Sequence, residues 1–328
     1  MNKPSRPRSP RKVTSSELIQ ELHQTVDGMA EDGTSRADLK LLSRALRELR
    51  EAFRLFDTVR NHPKVTVFGS ARTPEDSPVY REAAEFGQQM AQLGWFVITG
   101  AGDGVMKAAH EGAGRDRSIG VHILLPFEHS ENTIIAGSPN LIQTKYFFTR
   151  KLLLLKESQA IALFPGGFGT LDEAYETLTL LQTGKTHMFP MVLVDEPGGD
   201  YWTSWAKSLE ENLLSRKLIS HEDISLFRIV ENVTEAVEEI QRFYRVFHSS
   251  RYVNNRLVFR LRRPLTPEEL ATLNADFSGI LSKGVFSQEE ALPEENDEHE
   301  LAHMPRLVFN FNNRSFGRLR LLIDHLNR

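Results

Sequence analysis

A run of glycines between an apolar stretch and an acid is the part of this 328-residue chain best suited to hold an anion. The run, Pro165-Gly-Gly-Phe-Gly-Thr-Leu-Asp-Glu173, follows five apolar residues at 160–164. We predict a buried strand, a tight turn and a helix opened by Thr170. At such a helix start the backbone N–H groups are free, the helix dipole is positive, and glycines let an anion approach the backbone. The pattern therefore favours a phosphate group, and a tight turn that binds nothing is the alternative.

Two common phosphate motifs do not fit these glycines. A Walker loop needs Gly-Lys-Ser/Thr, and none follows the turn at 166–169. A second glycine turn, Gly100-Ala-Gly-Asp-Gly104, has its third glycine too early for the dinucleotide fingerprint. From turn chemistry alone, a mononucleotide or a sugar phosphate is the ligand that fits best.

Glu173 admits two interpretations. Thr170 and Glu173 have capping-box spacing, so the carboxylate could serve only to accept a hydrogen bond from the Thr170 N–H. Alternatively, the positive end of the helix dipole keeps a carboxylate in the first turn ionised. An ionised carboxylate stabilises an oxocarbenium-like transition state or orients a water, and it is poorly suited to be a general acid. Spacing alone leaves both interpretations open.

Two cations and one further acid lie upstream of the turn. Arg150 and Lys151 precede an apolar run at 152–155. Either they lie on a surface edge of that helix, or the planar guanidinium of Arg150 faces an anionic ligand. Glu128 follows Pro126, in a segment that we predict to be a solvated loop.

The composition bounds the class of protein. The chain has no cysteine, which removes disulfides and thiolate chemistry and fits a reducing compartment. A net charge of −4 gives no electrostatic case for nucleic acid or an anionic membrane, and no apolar run is long enough to span a bilayer. We therefore expect a cytoplasmic protein that binds neither nucleic acid nor a membrane.

No metal or organic cofactor is predicted. The following histidines show no metal-ligand spacing: His110, His122, His129 and His187. No lysine lies in a motif that would single out a pyridoxal phosphate Schiff base.

The elements that must position the candidate residues alternate between strand and helix. Apolar strands are predicted at 65–68, 95–99, 119–124, 160–164 and 191–194, with a short last strand at 227–230. This order indicates an α/β fold, a doubly wound (Rossmann-like) parallel sheet with helices on both faces, and we assign it residues 63–248. Such sheets bind ligands beyond the carboxyl ends of their strands, where three turns here carry glycines.

Three further segments flank this predicted domain. Residues 1–13 carry prolines and five cations without an acid, so we predict a disordered basic tail. Residues 14–62 are predicted to form an N-terminal helical extension, because leucines and phenylalanines recur there in a single apolar stripe. Residues 251–328 are predicted to form a small α+β unit without a chemical motif, in which the acid-rich residues 287–300 form a solvated loop.

The glycine turn and the Arg-Lys pair together resemble the motifs of the LOG ("Lonely Guy") family, whose members have often been mislabelled lysine decarboxylases. The nonapeptide at 165–173 matches the family's PGGxGTxxE signature, and Thr149-Arg150-Lys151 is similar to its upstream Arg-Lys pair. Gly69-Ser70 and the turn at 100–106 resemble its first two glycine turns. The resemblance covers about residues 64–247, and it looks closer to the bacterial nucleotide nucleosidases of the family than to the short plant enzymes.

The resemblance implies a phosphoribohydrolase. Such an enzyme hydrolyses the N-glycosidic bond of a nucleoside 5′-monophosphate, with AMP as the first candidate, to free base and ribose 5-phosphate, and needs no cofactor. It implies Arg150 and Glu173 as the catalytic pair. The implied substrate-binding residues are Glu128, Arg150, Lys151, Gly166, Gly167, Phe168, Gly169, Thr170 and Asp172, with Ser70 and Gly102 added from the first two turns. It also implies a homodimer or a higher homo-oligomer.

Two other function classes compete with this interpretation. A non-catalytic module of the same fold, such as a nucleotide sensor or a molybdenum-cofactor carrier, would bind its ligand without turnover. A lysine decarboxylase would need pyridoxal phosphate. The presence of both Arg150 and Glu173 favours the enzyme, and the preferred base is left open.

Overall fold

The computed structural model describes residues 13–124, 131–295 and 298–328, and the chain divides into two units that meet between Arg47 and Glu48. The first unit contains helix α1 (Ser15–Glu31) and the start of helix α2 (Arg36–Thr58). Thr14 caps α1 through a capping box with Glu17, as their spacing predicts. Of the predicted basic tail, only Val13 lies within the described residues.

The second unit contains a parallel sheet, whose seven described strands run in the order β4-β3-β2-β1-β5-β6-β7. The strands are β1 (Lys64–Phe68), β2 (Phe96–Thr99), β3 (Ser118–Ile123), β4 (Leu141–Thr144), β5 (Ala160–Leu163), β6 (Met191–Val194) and β7 (Arg228–Val230). The doubly wound parallel sheet is therefore confirmed. Edge strand β4 was not predicted, because its Leu-Ile-Gln-Thr sequence is short and only partly buried.

Helices cover both faces of this sheet. They are α3 (Pro78–Gln92), α4 (Val105–Ala113), α5 (Phe147–Lys156), α6 (Phe168–Gln182), α7 (Tyr201–Leu209) and α8 (Val233–Phe243). In β5, Ala160 and Ala162 pack with α3, α4 and α8, whereas Ile161 and Leu163 belong to the core on the other face. Because β5 is buried on both sides, it is apolar throughout rather than alternating.

A second, antiparallel sheet follows in the order β10-β11-β9-β8. Its elements are β8 (Phe247–Val253), β9 (Arg256–Leu261), α9 (Pro267–Asp276), β10 (Leu281–Glu289), β11 (Arg306–Phe311) and α10 (Phe316–Leu326). The predicted acid-rich loop is partly wrong. Its first residues belong to β10, and Glu295 is buried between Arg260 and Arg306, whose guanidinium groups compensate its charge. Our domain bounds stay predictions.

Short 3₁₀ and π-helical segments lie between these helices and strands. They are the 3₁₀ turns Arg115–Arg117, His221–Leu226, Ser278–Ile280, Pro293–Glu295 and His299–Leu301, and the π-helical turn Glu210–Leu214. Over the part of the chain that the structure describes, no helix is both long and apolar enough to cross a bilayer.

Helices α3 and α4 pack with their backbones in contact at two glycines. A Cβ atom added to Gly87 would lie 2.1 Å from the Ala109 carbonyl oxygen, and one added to Gly112 would lie 1.7 Å from the Ala84 carbonyl oxygen. No larger residue fits without moving a backbone segment. This contact sets the position of α4, and therefore of the glycine turn that leads into it.

We expect Gly112→Ala to lower the free energy of unfolding by about 2 kcal/mol or more, because the two helices must separate. Gly279→Ala is the matched control, since nothing lies within 4 Å of an added Cβ atom there. Denaturant unfolding of both variants, followed by circular dichroism, measures the difference. Equal stabilities would show that the helix contact tolerates a methyl group.

Candidate active site

A cleft of about 610 Å³ lies where β1 and β5 end. Eight of the predicted site residues line it: Ser70, Arg150, Gly167, Phe168, Gly169, Thr170, Asp172 and Glu173. Gly102, Gly166 and Lys151 lie beside the cleft without lining it, and Glu128 lies outside the described residues. The lining also contains Phe68, Arg72, Met106 and Phe147, which the sequence interpretation missed because no motif marks them.

Backbone hydrogen bonds join three loops at the carboxyl ends of the strands. The Ser70 N–H donates to the Pro165 carbonyl at 3.1 Å, and the Val105 N–H donates to the Ser70 carbonyl at 3.0 Å. The loop after β1 is therefore held between the loops that follow β2 and β5. Gly166 permits this contact, because a Cβ atom there would lie 2.1 Å from the Thr170 hydroxyl oxygen and 3.0 Å from the Ser70 nitrogen.

Helix α6 begins two residues earlier than we predicted. Gly167 is its N-cap, Phe168 is its first residue, and no side chain caps this end. Thr170 is thus the third helical residue rather than the cap, so the capping-box interpretation of Glu173 is wrong. The first N–H groups of α6 have no side-chain acceptor among the described residues and are available to an anion.

Glu173 is a buried carboxylate, and its side chain is 7% exposed. Its Oε1 lies 3.5 Å from the Lys151 Nζ, and its Oε2 has no hydrogen-bond partner among the residues described. Burial raises its pKa to about 6, against the opposing charges of Lys151 and Arg150. Burial is the largest of these effects. The carboxylate is nevertheless mostly ionised at neutral pH.

Lys151 binds carboxylates of α6 rather than lining the cleft. Its Nζ lies 2.9 Å from the Asp172 Oδ2 and 2.5 Å from the Glu176 Oε2, in addition to the Glu173 contact. These ion pairs join α5 to α6 beside the cleft. The sequence interpretation missed Glu176 as a partner of Lys151, although Glu176 lies four residues after Asp172 and therefore on the same face of α6. A substrate contact of Lys151 stays a prediction.

Arg150 lies in the cleft, not on a surface edge of α5. Its Nε donates to the carbonyl of Val121 in β3, at 3.1 Å. Its guanidinium also lies against the backbone at Gly100, where an added Cβ atom would be 2.0 Å from Nη2. Gly100 is therefore needed for the close approach of this side chain. The buried Glu48 holds the start of the same helix, accepting from the Lys145 N–H at 2.9 Å and from the Thr149 hydroxyl at 2.8 Å.

Side chains outside the predicted set hold two of the glycine turns. The Asn132 Nδ2 donates to the Gly102 carbonyl at 3.0 Å, and the Tyr201 hydroxyl donates to the Gly166 carbonyl at 2.6 Å. His110 lies 3.1 Å from the Thr99 hydroxyl, and burial lowers its pKa to about 4, so it stays neutral. Over the described ranges, no three acids or histidines are grouped to hold a metal ion.

Comparison with known proteins relates part of the chain to a family. The family model described as "Possible lysine decarboxylase" matches residues 103–240. A cytokinin riboside 5′-monophosphate phosphoribohydrolase of Mycobacterium tuberculosis is 29% identical over 173 residues, which cover 51% of this chain and 88% of that protein. These similarities support membership of the LOG family. Another relative is the probable phosphoribohydrolase LOGL5 of Oryza sativa, which is 28% identical over 43% of this chain and 57% of its own length.

Some solved structures are also similar to this chain, but these similarities carry no argument about function. A molybdenum cofactor binding protein from Rippkaea orientalis aligns with a TM-score of 0.39 and 21% identity, covering 55% of this chain and 96% of that one. The molybdenum cofactor carrier protein of Chlamydomonas reinhardtii aligns with a TM-score of 0.38 and 22% identity, covering 55% and 97%.

We expect Glu173→Gln to stabilise the folded chain near neutral pH. A folded-state pKa of about 6, above the ordinary 4.5, means that the stability linked to this group is complete below about pH 4.5 and is lost as the pH rises through 6. A permanently neutral side chain removes that loss, so the variant should gain up to about 2 kcal/mol at about pH 7.5 and nothing at about pH 4.5.

Denaturant unfolding at the two pH values measures this gain. Glu176→Gln is the matched control, because it removes another carboxylate from Lys151 at a more exposed position. A Glu173→Gln variant that is no more stable than Glu176→Gln at about pH 7.5 would show that burial does not penalise this carboxylate.

Proposed function

We propose that this chain hydrolyses the N-glycosidic bond of a nucleoside 5′-monophosphate, releasing the free base and ribose 5-phosphate, and that AMP is its substrate. The observation that carries the proposal is the placement of Glu173, a buried carboxylate with one unpartnered oxygen among the described residues, in one cleft with Arg150 and an uncapped helix start. The names of the curated relatives, which are phosphoribohydrolases, support the same chemistry.

The 5′-phosphate is assigned to the start of α6. The first-turn N–H groups of that helix and the positive end of its dipole favour an anion there. At Gly167 and Gly169 nothing lies within 4 Å of an added Cβ atom, so open space faces the backbone. Holding the phosphate there fixes the position of the ribose relative to Glu173, and this remote binding energy positions the reacting bond.

Glu173 is assigned to the ribose carbon C1′. As the bond from C1′ to the base nitrogen breaks, its electron pair leaves with the base and positive charge develops on the ribose. The ionised carboxylate stabilises that charge and orients a water for attack at C1′. The hydroxyl of the water joins C1′, and the proton that it gives up is balanced by a proton taken up by the base. No step needs a metal or an organic cofactor.

Arg150 and two exposed aromatic side chains are assigned to the rest of the nucleotide. The guanidinium of Arg150 anchors the substrate or stabilises the departing base, since it stays charged and is held by Val121. Phe147 and Phe168 line the cleft and are 52% and 94% exposed. Such exposed rings offer flat apolar surfaces on which a base can stack.

We expect Glu173→Gln and Arg150→Ala each to reduce the rate of adenine release from AMP by about a hundredfold or more, with the fold intact. The first change removes the charge that stabilises the ribose, and the second removes the anchor of the substrate. Chromatography of free adenine and ribose 5-phosphate measures turnover, and circular dichroism verifies folding.

Arg216→Ala is the control for Arg150→Ala, because Arg216 is exposed and does not line the cleft. In the unmutated chain the rate should also fall as the pH drops below about 6, where Glu173 becomes protonated. Near-normal adenine release by either folded variant would reject these roles. Binding of AMP, GMP, CMP and UMP without release of any base would favour a binding module instead.

We also propose that the chain forms a homodimer or higher homo-oligomer through helix α5. Phe147, Phe148 and Leu152 leave about half of their apolar side chains exposed along this helix. Neighbouring exposed apolar side chains mark contact surfaces more often than isolated ones do. We expect Leu152→Glu to shift the chain toward the monomer in sedimentation velocity, whereas Leu218→Glu, at another exposed leucine, should leave the assembly unchanged. Equal sedimentation of both variants would place the contact elsewhere.

A further inference from the structure

A second cavity, of about 670 Å³, lies at the opposite ends of the sheet strands. We call it the amino-end cavity, because Pro63, Trp95, Gln159 and Met188 line it just before β1, β2, β5 and β6 begin. Strand β8 contributes its first residues, 247–250, as another wall. The five residues of β1 separate it from the cleft by about 17 Å, so the two sites are distinct.

The charged side chains that line the amino-end cavity are arginines. The lining contains two arginines and three histidines and no acidic residue: Arg60, Arg262, His62, His187 and His248. Arg262 donates through Nε to the Tyr244 carbonyl at 2.7 Å and has no ion pair within the described part of the chain. Arg60 shares its charge with Asp57. Arg262 is therefore the main cation that an anion would meet.

His248, in the wall formed by β8, lies near Arg262. His248 has its pKa lowered to about 4 by burial and by the nearby charges of Arg262, Arg260 and Arg306. A neutral imidazole next to these cations offers hydrogen bonds without adding charge. One ring nitrogen lies 2.9 Å from the Ser249 hydroxyl, which fixes the ring against the wall.

The deeper part of the amino-end cavity is aromatic and apolar. The rings of Trp95 and Tyr244 lie 6.2 Å apart, and Trp95, Phe247 and Met188 are buried. The Gln159 Oε1 accepts from the Lys64 N–H at 2.9 Å, which orients its amide nitrogen as a hydrogen-bond donor. Flat apolar surface beside a cation and an amide suits a ligand with a ring at one end and a negative charge at the other.

We propose that the amino-end cavity binds a small organic anion that carries a flat ring, which is the chemistry of a nucleotide. The volume lies in the range of small-molecule sites, and the lining combines the arginine, aromatic rings and the oriented amide. Neither a bare inorganic anion nor an uncharged ring would use all three. The site does not depend on the proposed reaction, because none of its residues lines the cleft.

Isothermal titration calorimetry with ADP tests the site. The unmutated chain should bind ADP at two sites, the cleft and the amino-end cavity. Arg262→Glu should weaken one of them about tenfold or more, since it replaces the attracting cation with a repelling anion. Arg216→Glu, with the same change of charge at an exposed arginine outside the cavity, should weaken neither. Arg262→Gln, which removes the charge without reversing it, covers the case in which Arg262→Glu does not fold.

The outcomes separate this proposal from the proposed function. Arg150→Ala, titrated in the same way, should weaken ADP binding at the cleft alone, so a different result for that variant would count against the cleft and not against the cavity. Absence of an Arg262-sensitive site for ADP, or equal effects of the Arg262 and Arg216 changes, would overturn the cavity site. Adenosine and pyrophosphate should each bind there about tenfold more weakly than ADP. If adenosine binds as tightly as ADP, the ligand does not need a negative charge. If pyrophosphate binds as tightly as ADP, the ligand does not need a ring. Either result would overturn the proposed ligand chemistry.

Discussion

The candidate active site depends on the close contact of three backbone segments around Ser70. Its N–H and carbonyl bond to the loops after β5 and before α4, so neither loop can move without the other. This contact is possible only where side chains are absent. An added Cβ atom on Gly104 would lie 2.3 Å from the Ser70 carbonyl oxygen, and one on Gly166 would meet the Thr170 hydroxyl. The glycines thus serve two purposes, since they pack the loops and expose the helix start to a ligand.

The same packing explains why the charged residues can be buried. Arg150 approaches Gly100 and Val121, and Lys151 is surrounded by carboxylates of α6, so each cation has fixed partners before any ligand arrives. Glu173 is the exception, because one of its oxygens has no partner among the described residues and its pKa is raised by burial. A group held in an unfavourable state by its surroundings is a common property of functional sites. The fold therefore gives up some stability at the position to which we assign the chemistry.

The central sheet and the turn at 165–173 could be predicted because their signals are local. Apolar runs at β1 and β5 and the glycines that follow them are readable in a few residues. Strands β4, β8 and β10 could not be found this way, because they are partly exposed and no continuous apolar run marks them. The start of α6 and the burial of Glu173 also depend on context. Spacing suggested that Thr170 caps the helix, but Gly167 does so, and desolvation by the surrounding fold decides the pKa.

The carboxyl ends and the amino ends of the parallel strands differ chemically, because the described strands of this sheet all run in the same direction. At the carboxyl ends, helix starts and glycine turns present N–H groups, so an anion is held largely by backbone. At the amino ends, the helices arrive with their negative ends, and a cavity there can attract an anion only through side chains. Arg262 and the wall of β8 come from the antiparallel sheet, which the parallel sheet alone does not supply. The proposed anion site at the amino ends therefore requires the antiparallel sheet, which gives that sheet a physical role beyond packing.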